Sequence, residues 1–470
     1  MSLTESASQQ SQGLNRSAGN IAQTCPAVTL EIGVFFDGTG NNAANVRGPS
    51  SDYSDSYNSS LTNVVLLNDL YQYSSRYWTR NSCGYAIKRD RIYVEGIGTT
   101  AGEPDWNPRN KTGAAVGMGP TGVEARVFDA CVEVGNRVRR LSPGVEPTEV
   151  VLDVFGFSRG AAAARYFVNC FRQGFIEYDA LDYSLLRGVH VDHNRASLPA
   201  GRNVRIRFVG IFDTVAAVGL GTNDDNGPVN VHMSTSQADG IMHLVAENEY
   251  RENFRLNHNT PGGGPYKSCT GAHSDIGGGY AGTGSEALVE KARTRTFHSR
   301  ADAEAARAAD VAEAAAARDS LESFYVSEGW IDRGDPRGGL INEPGPIRET
   351  PARGLAGFVA NTYSYTTAAR LDRPWVQLGL SRIPLAMMYD AAVAGGVPLG
   401  DLPTSGEYAI PGDLQTLAQT MRSGGTPSAD MRRVALRDFG HMSSNFDKIG
   451  MSPEPGFERS IDWNDAGQAK

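Results

Sequence analysis

The chain has few cysteines for its length and no long apolar run. Its five cysteines among 470 residues are scattered and form no C-x-x-C pair. That pattern is typical of buried thiols in a protein made in a reducing compartment. No stretch approaches the roughly 18 apolar residues that a membrane-spanning helix requires. The first residues also lack the basic and apolar regions of a secretory signal peptide. We therefore expect a chain synthesised in the cytoplasm as a soluble protein.

Positive charge is also scarce. The chain has 44 Lys and Arg against 53 Asp and Glu, a net charge of −9 and an isoelectric point near 5.5. No element concentrates basic residues, which argues against a nucleic-acid partner and against simple electrostatic capture by anionic lipid. The glycine triplet at 277–279 lacks the helix-opening context of a phosphate-binding loop. We predict no nucleic-acid partner, no cofactor and no metal site.

The chain does contain a strand–turn–helix segment around a serine. Residues 149–165 read EVVLDVFGFSRGAAAAR, with a Gly-x-Ser-x-Gly pentad centred on Ser158. This order is typical of a nucleophile elbow, where the serine backbone is strained and larger neighbours would clash with the turn. The segment predicts a serine nucleophile. The alternative is an ordinary glycine-rich turn between a strand and a helix.

Apolar runs alternate with helical patterns over much of the chain. Predicted strands lie at 28–36, 91–94 and 203–212, and predicted helices at 62–73, 122–141 and 301–318. Strands alternating with helices indicate an α/β fold, with a mostly parallel sheet covered by helices as in α/β hydrolases. A further apolar helix at 384–394 fits either core packing or an acyl-chain groove.

The same patterns divide the chain into four segments. A Ser/Gln-rich tail at 1–26 is predicted to be disordered, and a hydrolase core occupies 27–280. An alanine-rich helical insertion follows at 281–355, and 356–470 completes the core. The insertion is interpreted either as a cap or lid, or as an exposed connecting helix.

A serine nucleophile needs a base, usually a histidine that a carboxylate orients. In α/β hydrolases the chain order is serine, acid, histidine. His441 lies in a small-residue loop after 433–437, which we interpret as the last strand, so His441 is the predicted base. Two acids fit the order: Asp275 in a glycine-rich segment, and Asp213 at the end of a strand. His273, in the same segment as Asp275, is predicted to support the acid.

The third requirement is a pair of backbone N–H groups that stabilise the oxyanion. Arg159 follows the nucleophile and should supply one N–H group. Gly38 should supply the other, from a loop after the first strand in which Asp37 and Thr39 support it.

Several short motifs occur together in a fixed order. They are FFDGTGNN (35–42), TNV (62–64), YVEGIGT (93–99), GAA (113–115), GFSRGA (156–161), FDTV (212–215) and HSDIGGGY (273–280). As a set they resemble the DUF2235 family, which includes type VI secretion lipase effectors of the Tle1 type. The resemblance covers about 30–280 and the His441 loop.

The resemblance implies an α/β-hydrolase fold with a Ser-Asp-His triad and phospholipase activity on the membrane of a target bacterium. It also implies peripheral membrane contact, delivery to the target-cell periplasm by the secretion apparatus, and two partners, a spike protein and a cognate immunity protein.

The leading hypothesis is therefore an antibacterial phospholipase or lipase that works through an acyl-enzyme at Ser158. A soluble carboxylesterase or thioesterase, and a non-catalytic toxin component on a hydrolase scaffold, are the alternatives. An acyl-wide groove beside the serine would favour the lipase, and a tight polar pocket would favour the esterase. A serine without a histidine in reach would favour the non-catalytic protein.

Overall fold

The computed structural model describes most of the chain. The described residues are 28–48, 55–73, 79–80, 86–143, 147–182, 190–198, 203–218, 229–353, 359–447 and 450–465. The tail predicted to be disordered lies outside these residues. Cys131, Cys170 and Cys269 are buried free thiols, as expected, and the other two cysteines lie outside the described residues.

The strands alternate with helices along the first half of the chain. The strands are β1 Val28–Phe36, β2 Thr79–Arg80, β3 Ala86–Val94, β4 Glu149–Phe157, β5 Phe175–Asp182, β6 His190–Ser197, β7 Val204–Phe212, β8 Gly240–Ala246, β9 Leu256–Asn257, β10 Tyr266–Cys269, β11 Ser285–Leu288, β12 Arg293–Phe297, β13 Gly339–Pro344, β14 Arg348–Arg353, β15 Val359–Arg373 and β16 Ile461–Asp462. The helices are α1 Ala43–Arg47, α2 Asp55–Asn58, α3 Asn63–Leu70, α4 Pro108–Val116, α5 Val123–Leu141, α6 Arg159–Gln173, α7 His273–Gly277, α8 Arg300–Glu328, α9 Arg382–Ala394, α10 Gln415–Arg422 and α11 Ala429–Asp438. Short 3-10 helices span Gly406–Tyr408, Gly412–Leu414 and Pro455–Phe457.

The central sheet has the strand order β10-β8-β7-β4-β1-β3-β2. Neighbouring strands are parallel throughout, except that the short β2 runs antiparallel to β3. The predicted mostly parallel α/β sheet is confirmed. Phe36 pairs with Gly156, and Phe157 pairs with Phe212, so the three central strands end at one level. The residues that follow β1, β4 and β7 therefore meet at one edge, where α/β proteins place their active sites.

Helices cover both faces of this sheet. One core packs α5 and α6 against it, and a second core packs α3 and α9 against the opposite face. The strands are buried on both faces, which explains their continuous apolar sequences. In α9 the side chain of Met388 is fully buried, so this helix packs in the core.

The insertion is more than the predicted helix. The 29-residue α8 packs beside an antiparallel sheet in which β15 pairs with each of β11, β12, β13 and β14. Arg373, at the end of β15, is buried and donates hydrogen bonds to the carbonyl oxygens of Leu436 (2.9 Å) and Gly440 (2.8 Å). The antiparallel sheet therefore anchors the loop that carries His441. The role of the insertion as a lid stays a prediction.

One local assignment was wrong. Residues 433–437 form part of α11, not a final strand. Ser428 caps this helix by accepting a hydrogen bond from the Met431 N–H group (3.2 Å), and a helix start of this kind is favoured by serine. The short apolar run belongs to a helix face.

A buried cation holds the middle of the sheet together. Arg207 donates to both carboxylate oxygens of Asp153 (2.9 and 2.6 Å) and to Glu31 (2.8 Å). Asp153 is fully buried, so its charge depends on this partner. Two residues earlier on the same strand, Arg205 pairs with Glu149 and Asp239 at the exposed surface.

We predict that Arg207→Met lowers the free energy of unfolding by about 3–5 kcal/mol, because it leaves a buried carboxylate without its partner. The matched control Arg205→Met removes an exposed pair and should cost at most about 1 kcal/mol. Urea denaturation of the two variants measures the difference. Equal losses would show that Arg207 is not the internal counter-ion.

Candidate active site

Ser158 occupies a strained turn between β4 and α6. Its backbone has φ 59° and ψ −128°, a conformation that residues other than glycine rarely adopt. Its N–H group donates to the Phe212 carbonyl oxygen (3.1 Å), which ties the turn to the end of β7. A methyl group at Gly160 would lie 2.3 Å from the Asp37 carbonyl oxygen, and one at Gly156 would lie 2.3 Å from the Gly160 carbonyl oxygen. Both glycines are thus sterically required, as in a nucleophile elbow.

Asp213 follows β7 and lies beside the elbow. It is fully buried and adopts a positive φ of 40°. Its carboxylate accepts hydrogen bonds from the Ala246 N–H group (2.9 Å) and from the Nδ1 atom of His273 (2.5 Å). Both guanidinium nitrogens of Arg459 also contact it, at 2.8 and 3.0 Å. Burial alone would raise the pKa of Asp213, but Arg459 and His273 outweigh it and hold this pKa well below its usual range.

His273 is the first residue of α7 and is 4% exposed. Its imidazole packs on the ring of Phe157, the residue before the serine, with ring centroids 4.7 Å apart, and on Phe254 at 5.0 Å. Burial lowers the pKa of His273, although the Asp213 carboxylate acts in the opposite direction. The ring therefore stays neutral at physiological pH, the state that a general base requires.

The second predicted pair, Asp275 and His441, also forms. The His441 Nδ1 atom lies 3.3 Å from one Asp275 oxygen, and the His441 backbone N–H group donates to the other (3.1 Å). The imidazole stacks on Tyr280, with centroids 4.3 Å apart. The structure thus brings Asp275 to His441, as the sequence predicted, whereas Asp213 contacts His273 and not His441.

The loop after β1 lies against the elbow. The Arg159 side chain donates to the Thr39 hydroxyl (2.8 Å) and to the carbonyl oxygens of Gly113 (3.1 Å) and Ala114 (2.6 Å). The Gly38 N–H group donates to the Asp37 carboxylate (2.8 Å). Within the described residues, the N–H groups of Thr39 and Arg159 have no hydrogen-bond acceptor. Both belong to segments that meet at Ser158, so they are available to an oxyanion.

Asp37 is the buried centre of this loop. It accepts hydrogen bonds from the hydroxyls of Thr62 (2.6 Å) and Tyr93 (2.7 Å), besides that from Gly38. Burial raises the pKa of Asp37 to about 6, although the three hydrogen bonds act in the opposite direction. The carboxyl group therefore changes charge in the pH range in which a hydrolase would be assayed.

Sequence reasoning missed a second charged layer behind His273. Glu249 accepts from the His273 backbone N–H group (3.2 Å) and from two nitrogens of Arg251 (2.9 and 2.8 Å). No sequence signal marks Arg459, which reaches Asp213 from 246 residues further along the chain. Glu249 and Arg251 follow β8, and a strand end in a parallel sheet is the one signal that would have drawn attention to them.

Two further features bear on ligands. Among the described residues, no group of three or more His, Cys, Asp or Glu side chains forms a metal-binding cluster. The helices of this part of the chain include none with the length and apolar character needed to cross a bilayer.

Asp37 generates a prediction on stability. Its pKa in the folded state, about 6, exceeds the ordinary 3.8, so its protonation stabilises the fold below pH 3.8 and that stabilisation is lost as the pH rises through 6. Asp37→Asn should stay neutral at every pH. When the pH rises from 5 to 8, the wild type should lose about 1–2 kcal/mol of unfolding free energy that Asp37→Asn keeps. The variant should therefore become more stable relative to wild type by that amount. Urea denaturation at both pH values tests this, and a pH-independent difference would contradict the raised pKa.

Three comparisons with known proteins complete the description. A family model described as "T6SS, Phospholipase effector Tle1-like, catalytic domain" matches residues 179–299, a segment that contains Asp213 and His273. No curated protein matches the chain.

One solved structure shows a similar fold. The structure of a Tle1 effector bound to the VgrG spike of the type 6 secretion system aligns with a TM-score of 0.64 and 23% identity, over 94% of each chain. An uncharacterized protein from Pseudomonas aeruginosa aligns at a TM-score of 0.46 and 18% identity, over 91% of this chain and 55% of that one. The family match and the shared fold confirm the resemblance to type VI secretion phospholipase effectors of the Tle1 type.

Proposed function

We propose that the chain is a serine-dependent phospholipase that cleaves carboxylic esters of membrane lipids through an acyl-enzyme. The observation that carries the proposal is the hydrogen bond between Asp213 and His273 beside the Ser158 elbow. The match of 179–299 to a Tle1-like phospholipase-effector catalytic domain supports it, since that segment holds both residues.

In this proposal Ser158, His273 and Asp213 form the triad. The order serine, acid, histidine is that of α/β hydrolases. Asp213 holds the Nδ1–H group of His273, so that Nε2 carries a lone pair and accepts the Ser158 hydroxyl proton. The Asp213–Arg459 ion pair keeps the carboxylate ionised and fixes its orientation. The alternative is that His441 is the base and Asp275 its acid, and the variant His441→Asn distinguishes the two assignments.

The acylation step follows from this arrangement. The Ser158 oxygen attacks the ester carbonyl carbon while His273 takes its proton, and a tetrahedral oxyanion forms. The N–H groups of Arg159 and Thr39 are proposed to stabilise that charge, because the Gly38 N–H group is bonded to Asp37. The carbonyl re-forms, the carbon–oxygen bond to the glycerol backbone breaks, and His273 returns the proton to the leaving alcohol.

Deacylation repeats the same chemistry with water. His273 removes a proton from the water, whose oxygen attacks the acyl carbon. The bond to Ser158 then breaks, and the serine oxygen regains a proton from His273. The products are a free fatty acid and a lysophospholipid. Each proton released is returned, and no atom changes its oxidation state, so no step needs a redox partner.

The biological setting that we propose is that of a secretion effector. The Tle1 effector with the similar fold was solved bound to a VgrG spike, so a spike protein is the proposed carrier of this chain. Contact with the target-cell membrane from the periplasm, and a cognate immunity protein, complete the proposal.

The test compares Ser158→Ala, His273→Asn and His441→Asn with the wild type. Fatty acid and lysophospholipid released from defined vesicles are measured by mass spectrometry, and turnover of a short-chain neutral ester is followed in parallel. Ser158→Ala and His273→Asn should lose at least about 10³-fold in kcat on both substrates, because the nucleophile and its base act as a unit. His441→Asn should retain turnover of the neutral ester.

Each contrary result has a defined meaning. Turnover by Ser158→Ala equal to that of wild type would reject a serine mechanism. Loss of neutral-ester turnover in His441→Asn, with activity kept in His273→Asn, would assign the base to His441 and the acid to Asp275. Identical circular dichroism spectra of the variants serve as the folding control.

A further inference from the structure

A cavity of about 450 Å³ is lined by Asp275 of α7, among other residues, and its lining contains none of the proposed triad. Its polar lining includes Asp275, His441, Tyr280 and Arg382, and its apolar lining includes Leu378 and Phe439. No step of the proposed acyl transfer uses these groups. The wall combines a buried imidazole, a cation and apolar surface, which is typical of a small-molecule subsite.

The imidazole of His441 is the first observation that points to a ligand. Its side chain is 9% exposed, and its Nε2 atom is buried without a hydrogen-bond partner among the described residues. A buried nitrogen without a partner is costly, so native proteins normally satisfy it. The Nδ1 atom lies against Asp275, so Nε2 is the ring nitrogen that is left for an N–H···O bond to an anion in the cavity.

Arg382 is the second observation. Its guanidinium donates to the neutral oxygens of Asn63 (3.0 Å) and Ser381 (3.3 Å), and within the described residues no carboxylate lies at ion-pair distance. Burial lowers the pKa of Arg382. A half-buried arginine with no carboxylate at ion-pair distance favours an anionic ligand, and guanidinium geometry matches phosphate oxygens.

The cavity is adjacent to the reaction centre. Asp275 lies on the same short helix as His273, two residues later. At the other end of that helix, a methyl group at Gly277 would lie 2.1 Å from the Phe157 ring, next to the nucleophile. The reaction centre and the cavity therefore share the short helix α7, which carries His273 of the one and Asp275 of the other.

We propose that this cavity binds the phosphate group of the phospholipid substrate, with Arg382 and the Nε2–H group of His441 as its donors. The inference rests on the proposed phospholipase function and specifies which lipids it accepts. Glu407, exposed at the mouth, places a negative charge near Arg382. That charge disfavours a dianion, so the site should prefer the singly charged phosphodiester of a head group to free phosphate.

An acyl chain is the competing occupant. It would fill the apolar wall, but it would leave the Arg382 guanidinium without an anionic partner and the His441 Nε2 atom without any partner. Desolvating a cation with no compensating bond costs more than the apolar contact returns. The phosphate group satisfies both donors at once.

The experiment measures selectivity. The kcat/KM of fatty-acid release is compared for a phosphatidylglycerol and for a neutral diacylglycerol with the same acyl chains, both in nonionic detergent micelles. The ratio of the two values should fall about tenfold or more in Arg382→Gln and in His441→Gln, because charge-assisted bonds to phosphate are lost from one substrate alone. Arg382→Lys should recover part of the ratio. Arg300→Gln removes an exposed arginine from α8 and is the control, because it changes the net charge by the same amount. It should leave both rates unchanged.

A competition arm identifies the source of the anion. Glycerophosphoglycerol should inhibit diacylglycerol hydrolysis by Arg382→Gln less than it inhibits hydrolysis by the wild type. Inorganic phosphate should inhibit neither protein. Stronger inhibition by inorganic phosphate would overturn the preference for a phosphodiester.

An unchanged ratio in both variants would overturn the inference, whether the two rates stay the same or fall equally. Failure of the proposed function is distinct, since Ser158→Ala would then hydrolyse both lipids at the wild-type rate.

Discussion

The buried carboxylate of Asp213 is the interaction on which the site depends. A fully buried charge at the end of a parallel strand is stable only when its partners are in place. Those partners are the Ala246 N–H group at the end of β8, His273 on α7 and Arg459 near the C-terminus. Segments from three distant parts of the chain must therefore be assembled before the carboxylate is satisfied. The same contacts hold the imidazole against the ring of Phe157, the residue before the serine.

The charges around Asp213 alternate in a way that favours a neutral, oriented histidine. Arg459 forms an ion pair with Asp213 and offsets its negative charge, and Arg251 does the same for Glu249 behind the ring. With both carboxylates paired to arginine, burial prevails over attraction, and the pKa of His273 is lowered. In the proposed triad, Asp213 then acts mainly by orientation. The imidazolium that forms during the reaction gains its stabilisation from the same fixed carboxylate.

The sequence predicted those parts of the site that arise from local patterns. The elbow was predictable because the strand, the glycines and the helix are contiguous around Ser158, and Asp213 was a candidate because it ends a strand. The pairing of Asp213 with His273 was not predictable, because it depends on where α7 packs against the sheet. His273 and Asp275 lie two residues apart and face different partners. Sequence spacing cannot distinguish them. Arg459 had no signal at all.

The same distinction applies to the fold. The parallel sheet and the helix α8 follow from periodicity and composition, and both were predicted. The antiparallel sheet of the insertion was missed because β15 is a polar, threonine-rich strand that shows little apolar alternation. The helix α11 was mistaken for a strand because its short apolar run, taken without the Ser428 cap, fits both periods. Arg373 connects these two regions, and it brings His441 to the cavity.

The most direct test of the account is covalent labelling of the nucleophile. Wild type and Asp213→Asn are treated with a fluorophosphonate, and the modified peptide is mapped by mass spectrometry. The account predicts one phosphonyl group per chain, on the peptide that contains Ser158, with a labelling rate at least about 10²-fold lower in Asp213→Asn, since the histidine loses its orienting partner. Labelling at another residue, or equal rates in the two proteins, would contradict it.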